Sequence, residues 1–117
     1  NSTNLFVSMS KEALRVSNRC PIRTTLELLG GKWKLLILFQ LSGEALRLSA
    51  LKKAIPDISE KMLIQELKNL TDSGLVLRQN YGEVPPRVEY RLSEKGKKAL
   101  PLIAQMRDFA LAYEQAE

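Results

Sequence analysis

The sequence predicts an α+β fold that is mainly helical, with one two-stranded hairpin set between helices. Three observations carry this. Apolar residues recur at three- and four-residue steps over Leu63, Leu67 and Leu70, and again over Leu100, Ile103, Met106, Phe109, Ala110 and Tyr113, which is the period of an amphipathic helix. Between these stretches the period changes. Val88, Tyr90 and Leu92 alternate with Arg87, Glu89 and Arg91, as in a half-buried strand. The preceding link, Gly82-Glu83-Val84-Pro85-Pro86, has the glycine and proline chemistry of a hairpin turn.

Taken in order, Asn1 to Arg19 is polar with scattered apolar residues, among them Leu5, Phe6 and Leu14. It reads as an arm with a short helix near Lys11 to Val16, too sparse to bury much alone. The chain starts at Asn1 and not Met, so its first residues are left out of the fold reasoning. Pro21 suits the first position of a helix, where its missing N–H costs nothing, and Gly30-Gly31 stops that helix. Lys32 to Leu41 is apolar on nearly all sides (Trp33, Leu35, Leu36, Ile37, Leu38, Phe39) and is expected to be the central core helix. Leu46 to Leu48 is expected to be a short strand. Ser49 then caps a helix to about Ile55, with Leu51, Ala54 and Ile55 inward and Lys52 and Lys53 outward. After the Pro56-Asp57 turn, Ser59 is a good N-cap for a helix over Glu60 to Asp72, closed by Ser73-Gly74. Strands follow over Leu75 to Tyr81 and Arg87 to Leu92. Ser93 then caps one long final helix.

Two short helices joined by Pro56-Asp57 and followed by a hairpin have the layout of a winged helix-turn-helix, the hairpin being the wing. The expected organisation is an N-terminal arm and dimerisation helix over 1–19, the winged helix-turn-helix over 20–93, and a C-terminal dimerisation helix over 94–117.

Composition removes several function classes. The 117 residues, 44% of them hydrophobic and 26% charged, are enough for one domain with its own core. There is no histidine and one cysteine. Histidine-based triads, an internal disulfide and a cysteine-rich zinc site are therefore excluded, and no glycine-rich phosphate loop follows a strand. The expectation is a protein that is not an enzyme and uses no cofactor or metal. No apolar run approaches the roughly 20 residues that cross a bilayer, and no secretory signal is visible, so a cytoplasmic protein without a membrane partner is expected. The net charge of +5 is concentrated toward the N-terminal third, where Lys11, Arg15, Arg19, Arg23, Lys32 and Lys34 face Glu12 and Glu27. Such a surplus suits a nucleic-acid partner without proving one.

The helix over Glu60 to Asp72 has two faces. Leu63, Leu67 and Leu70 would hold it to the domain, leaving Ser59, Lys61, Met62, Gln65, Lys68 and Asn69 to reach double-stranded DNA. Gln65 can pair with adenine, the lysines can reach guanine or phosphate, and Met62 can touch a thymine methyl. Ser59 caps the helix and is also within reach of a phosphate. The competing reading is an ordinary solvated amphipathic helix, and Glu60, Glu66 and Asp72 against Lys61 and Lys68 make it net acidic. That acidity is the best support for a rival function, a winged-helix module that binds protein and not DNA. The wing offers Arg78, Arg87 and Arg91 to the backbone or minor groove, with Glu83 and Glu89 as groups that could neutralise them. Lys52, Lys53 and Lys32 are further candidates for phosphate, each with a plain surface lysine as its alternative. Trp33 reads as a core or dimer-face residue.

The motifs also resemble a known family. Cys20-Pro21-Ile22, Gly30-Gly31-Lys32-Trp33, Ile58-Ser59-Glu60-Lys61-Met62-Leu63, Gly74-Leu75-Val76 and Val84-Pro85-Pro86-Arg87-Val88-Glu89-Tyr90, followed by Lys95-Gly96, are similar in order and spacing to the HxlR-type (MarR-like) winged helix-turn-helix transcription regulators of bacteria. The resemblance runs over roughly Arg19 to Tyr113. One departure is Arg47-Leu48, where the family usually has an arginine followed by an aromatic residue; a leucine there still packs. The resemblance implies a homodimer on palindromic DNA, with the N-terminal helix and the long C-terminal helix as the dimer surface. The reading taken first is a sequence-specific regulator, expected to be a repressor rather than an activator.

The residues themselves point the same way. Leu5, Phe6 and Leu14 in the arm lack a local partner, and the stripe Ile103, Met106, Phe109, Ala110 and Tyr113 is longer than the domain's own core needs. Each could cover the other across a two-fold axis, setting two recognition helices about 34 Å apart, one turn of DNA. Two long helices at such a face can also enclose a small-molecule effector, which the sequence does not name. Cys20 precedes a helix start and lies between Arg19 and Arg23, where the helix dipole and positive charge favour the reactive thiolate. Some members of the family respond to thiol oxidation through a cysteine in this place, so Cys20 is a candidate redox sensor. Its alternative is a small buried apolar residue.

Overall fold

In the computed structural model residues 20–115 are described, and the chain divides into two compact units, Asn1–Gly31 and Lys32–Glu117. The expected arm and its dimer residues Leu5, Phe6 and Leu14 lie outside the described residues. In the first unit, α1 spans Pro21–Leu29, with Pro21 in the first turn and Cys20 at the N-cap. Its C-terminus closes at Gly30, whose N–H donates to the Leu26 carbonyl at 2.7 Å. A Cβ at Gly30 would collide with that same carbonyl, so the residue is glycine for want of space.

The second unit holds the winged helix. Its helices are α2 (Lys34–Gln40), α3 (Leu48–Ala54) and α4 (Glu60–Asp72); the hairpin is β1 (Val76–Asn80) with β2 (Val88–Leu92); α5 (Glu94–Lys97) and α6 (Leu100–Gln115) follow. Ile37 and Leu38 of α2, Leu51 of α3, Leu63, Leu67 and Leu70 of α4, and Val76 of β1 are almost fully buried and form the core. Leu36 and Phe39, on the other side of α2, stay about half exposed. The central helix is therefore two-faced and not apolar-buried all round.

Ser59 caps α4 as expected, its hydroxyl accepting from the Met62 N–H at 3.1 Å. The far end closes through Gly74, at φ +81°. The Leu75 N–H reaches the Leu70 carbonyl and the Gly74 N–H reaches that of Thr71, a double closure of the helix end that favours glycine at the left-handed residue. The hairpin is antiparallel, with Val76 opposite Leu92, Arg78 opposite Tyr90 and Asn80 opposite Val88.

Further expectations need correction, around α3 and in the final helix. Leu46 to Leu48 is not a three-residue strand. Only Leu46 pairs, exchanging both backbone hydrogen bonds with Tyr90 (2.9 and 2.8 Å). The helix then begins at Leu48 with Arg47 at the N-cap and no side-chain cap, so Ser49 lies inside it, and Ala54 is exposed. The final helix is also not continuous. Ser93 caps α5 by accepting from the Gly96 N–H at 3.0 Å, but Lys98 and Ala99 form a tighter turn before α6. Pro101 has no N–H to give the Lys97 carbonyl, which interrupts the ladder at that point. Gly96 sits against the Leu75 carbonyl, with no room for a Cβ, and so seats α5 on the start of β1.

Candidate nucleic-acid interface

The buried residues of α4 are Leu63, Glu66, Leu67 and Leu70. With one side of the helix so fixed, the 3.6-residue period places Lys61, Gln65, Lys68 and Asp72 in one line on the opposite side. All four are exposed. Ile64, Lys68 and Thr71 turn toward the wing, where with Leu48, Arg78, Val88 and Tyr90 they line a cleft of about 460 Å³. Met62, Gln65 and Asn69 occupy the other flank, all exposed.

The candidate side chains differ in how free they are. Lys61 and Gln65 have no side-chain partner among the described residues. Lys68 donates to Asp72 at 2.8 Å, and that hydrogen bond, followed by the charge of Asp72, raises the pKa of the ammonium. Asn69 donates to Glu66 at 3.3 Å. The Met62 side chain is 37% exposed, enough to offer an apolar contact.

Glu66 is the residue that charge counting misplaces. It is buried, and its carboxylate accepts from Lys34 of α2 at 2.9 Å. The net acidity expected for this helix therefore does not reach its outer face. There Lys61 and Lys68 stand against Glu60 and Asp72. The signal was present in the spacing, since Glu66 falls between Leu63 and Leu70 on the apolar side. Its partner 32 residues away had no local signal.

The wing arginines part company. Register puts Arg78 on the hairpin face shared with Val76, Val88, Tyr90 and Leu92, while Arg91, opposite Leu77, is on the other. Arg78 thus joins Lys68 at the cleft beside α4, and Arg91 points away from it. Arg87 is enclosed by the hairpin's own groups. Its guanidinium lies 3.6 Å from the centre of the Tyr81 ring, 3.5 Å from Glu83 and 3.8 Å from Glu89. Tyr81 also donates to Glu89 at 3.1 Å. Tyr81 first, then Glu83 and Glu89, raise the guanidinium's pKa, so it stays charged at any working pH. Glu83 and Glu89 thus neutralise Arg87 within the hairpin.

Of the remaining lysines, Lys52 is half-buried and donates to the Pro56 carbonyl at 2.9 Å. It closes the turn between α3 and α4. Lys53 is exposed. Lys32 is exposed and lies 4.6 Å over the Trp33 ring. Cys20 is buried and lines a groove with Ile22, Arg23, Leu26 and Glu27.

On α6 no residue is buried. Met106, Phe109 and Tyr113 are 49%, 73% and 73% exposed, and Phe109 and Tyr113 stack with centroids 6.4 Å apart. Ile103 is half-buried and Ala110 exposed. Between α2 and α6 runs an apolar groove of about 580 Å³, lined by Leu35, Leu36, Phe39, Leu100, Ile103 and Met106 with Arg107 at one side. Among the described residues no helix is long and apolar enough to cross a membrane, and no group of acidic residues and cysteine could hold a metal ion.

A capped helix with an exposed polar face, a helix and turn before it and a two-stranded wing after it define a winged helix-turn-helix regulator. The chain belongs to the HxlR-like helix-turn-helix family, whose model matches residues 28–117. It is 43% identical over 98 residues to YkvN, an HTH-type transcriptional regulator of Bacillus subtilis (strain 168), covering 84% of this chain and 83% of that one. A MarR-family transcriptional regulator from Porphyromonas gingivalis W83 superposes with a TM-score of 0.78 at 48% identity, covering 81% of this chain and 93% of the other. The redox regulator HypR in its oxidized form superposes with a TM-score of 0.75 at 34% identity, covering 80% and 96%. The family is one of DNA-binding transcription regulators, and the resemblance read from the motifs is borne out.

Proposed function

We propose that this chain is a homodimeric repressor that reads a palindromic operator with α4, Gln65 and Lys61 touching base edges and Lys68 and Arg78 holding the phosphate backbone where helix and wing meet. The observation that carries this is the outer face of α4, which keeps Lys61 and Gln65 uncommitted while its one inward acid is neutralised from α2. Phosphates position such a helix and base edges select the sequence. Ser59, Met62 and Asn69 complete the reading face, with Lys53 toward the backbone. Arg87 braces the wing, and Lys52 braces the turn. Arg91 faces away from the cleft and Lys32 rests on Trp33, so neither is assigned a contact.

The dimer is supported by α6. A sixteen-residue helix with Met106, Phe109, Leu111 and Tyr113 exposed leaves an apolar surface of the kind soluble chains cover. That surface continues into the groove beside α2. A second protomer, contributing the same surface across a two-fold axis, is the occupant that fits both. The arm residues Leu5, Phe6 and Leu14 are proposed to join it.

Redox control through Cys20 is a second reading. It is supported by the position of Cys20 at the N-cap of α1, with Arg23 in the same groove, and by the similarity to a regulator solved in an oxidized form. With one cysteine per chain, a disulfide formed on oxidation joins two protomers or attaches a small thiol.

Selection of genomic DNA by the purified protein, with and without a thiol oxidant, tests both readings. Enrichment of a shared palindrome supports the operator reading, and its loss on oxidation in the native protein but not in Cys20→Ser supports the sensor. No enrichment by a folded dimer in either state would move the function to protein binding.

A further inference from the structure

One side chain on the reading face of α4 has its orientation set from inside the fold. Glu66 Oε1 accepts from Lys34 Nζ at 2.9 Å and from Asn69 Nδ2 at 3.3 Å. The Lys34 and Glu66 side chains are only 17% and 10% exposed. A carboxylate facing an ammonium has acceptors only, whereas the asparagine amide has a donor end and an acceptor end. Only the NH₂ of Asn69 can face Glu66. The carbonyl Oδ1 is therefore turned away from Glu66, on an exposed residue that follows Gln65 by one helical turn and Met62 by two. An unconstrained asparagine on a helix surface would present either end.

Resting on the operator reading above, we propose that Glu66, held by Lys34, is a positioning residue that sets Asn69 as a hydrogen-bond acceptor. Asn69 then selects a base offering an amino donor, adenine N6 or cytosine N4, at one position of each half-site. In the major groove guanine and thymine present acceptors at O6 and O4, and an outward Oδ1 repels both. Lys34 thus contributes to sequence choice without touching DNA. It lies on the helix that also lines the apolar groove with α6.

The test is DNA selection by the full chain, read column by column, for the native protein, Asn69→Ala, Glu66→Gln and the double variant Glu66→Gln with Asn69→Asp. The native pool is expected to favour an amino-bearing base about tenfold at one column per half-site, the scale of one directional base contact. Asn69→Ala flattens that column. Glu66→Gln flattens it as well, since glutamine can accept as well as donate and lets the asparagine amide turn over. The double variant restores the column, because aspartate is an acceptor without help from Glu66. The salt dependence of binding stays unchanged in Glu66→Gln, no phosphate contact having been removed.

A pool unchanged by Asn69→Ala overturns the proposal. So does an even loss of all columns in Glu66→Gln together with a lower melting temperature, which is what a purely structural ion pair gives. Should Glu66→Gln not fold, the exposed Asn69→Asp decides: aspartate has acceptors only, so the column survives if Asn69 reads as an acceptor and is lost, overturning the proposal, if it reads as a donor. No enriched palindrome from the native protein removes the operator reading itself, and this inference with it.

Discussion

Replacing Phe109 by alanine is expected to separate the protomers without unfolding them. Phe109 is 73% exposed in the single chain, so about three quarters of its apolar stabilisation remains to be gained. Full burial of a phenylalanine side chain is worth about 1.5–3 kcal/mol, leaving about 1–2 kcal/mol for the interface. A two-fold interface contains the residue twice, and the dimer loses about 2–4 kcal/mol. That is a rise of roughly 30- to 1,000-fold in the dimer Kd. The monomer loses little, because the side chain is mostly exposed and stacks on an equally exposed Tyr113, and alanine is the better helix former at an exposed position. Sedimentation equilibrium across protein concentrations measures the Kd, and urea unfolding at the lowest concentration measures the monomer. An unchanged Kd would refute the assignment of α6 to the dimer. A loss of monomer stability above about 1 kcal/mol would refute the reasoning that Phe109 is uncommitted within one chain.

Gln65→Ala is expected to cost about 1–3 kcal/mol on the preferred operator and less on other sequences. Competitive binding to matched and mismatched duplexes checks this, and equal losses on both would remove the base-reading role. Asp72→Asn releases Lys68 from a surface ion pair and removes a negative charge from the outer face of α4; binding is expected to tighten by up to about fivefold, within the usual worth of an exposed pair, with a steeper salt dependence. Gly96→Ala must push a Cβ into the Leu75 carbonyl and is expected to lower stability by about 1–3 kcal/mol, as overpacking does, read from the urea midpoint. Arg87→Ala is expected to leave the salt dependence of DNA binding unchanged while loosening the wing, seen as faster amide exchange over 76–92; a flatter salt dependence would return Arg87 to the phosphate contacts.

The parts of the fold legible in sequence are those written locally. Pro21, Ser59 and Ser93 mark helix starts that the chain uses, Gly74 marks an end, and the alternation over 87–92 gives the strand face that the register confirms. The errors come from competing tertiary terms. Leu46 pairs with Tyr90 on the free edge of β2, and the chain turns into α3 by Leu48, so the bridge stays one residue long. Ser49 looked like a cap because serine favours that role, yet Arg47 stands at the N-cap with no side-chain hydrogen bond at all. Pro101 cuts the last helix, and the apolar stripe over 100–113 gives no sign of it.

The charge of the reading face is set by the same tertiary terms. Counting charges along α4 favours a protein-binding module, since the helix is net acidic. Counting them around α4 does not, because the period that buries Leu63 and Leu70 must also bury whatever lies between them. Glu66 is therefore inside, and a buried carboxylate needs a cation. Lys34 supplies it from the central helix. The wing reverses the lesson. Arg87 looks like the obvious phosphate ligand by composition, and the aromatic ring and two carboxylates folded around it spend its charge within the hairpin. A basic residue in a winged helix reaches DNA most readily when the surrounding groups leave its charge uncommitted: among the described residues of α4 and the wing Lys61, Arg78 and Arg91 have no such partner, Arg91 lying on the face away from the cleft, and Lys68 must leave Asp72 to reach a phosphate.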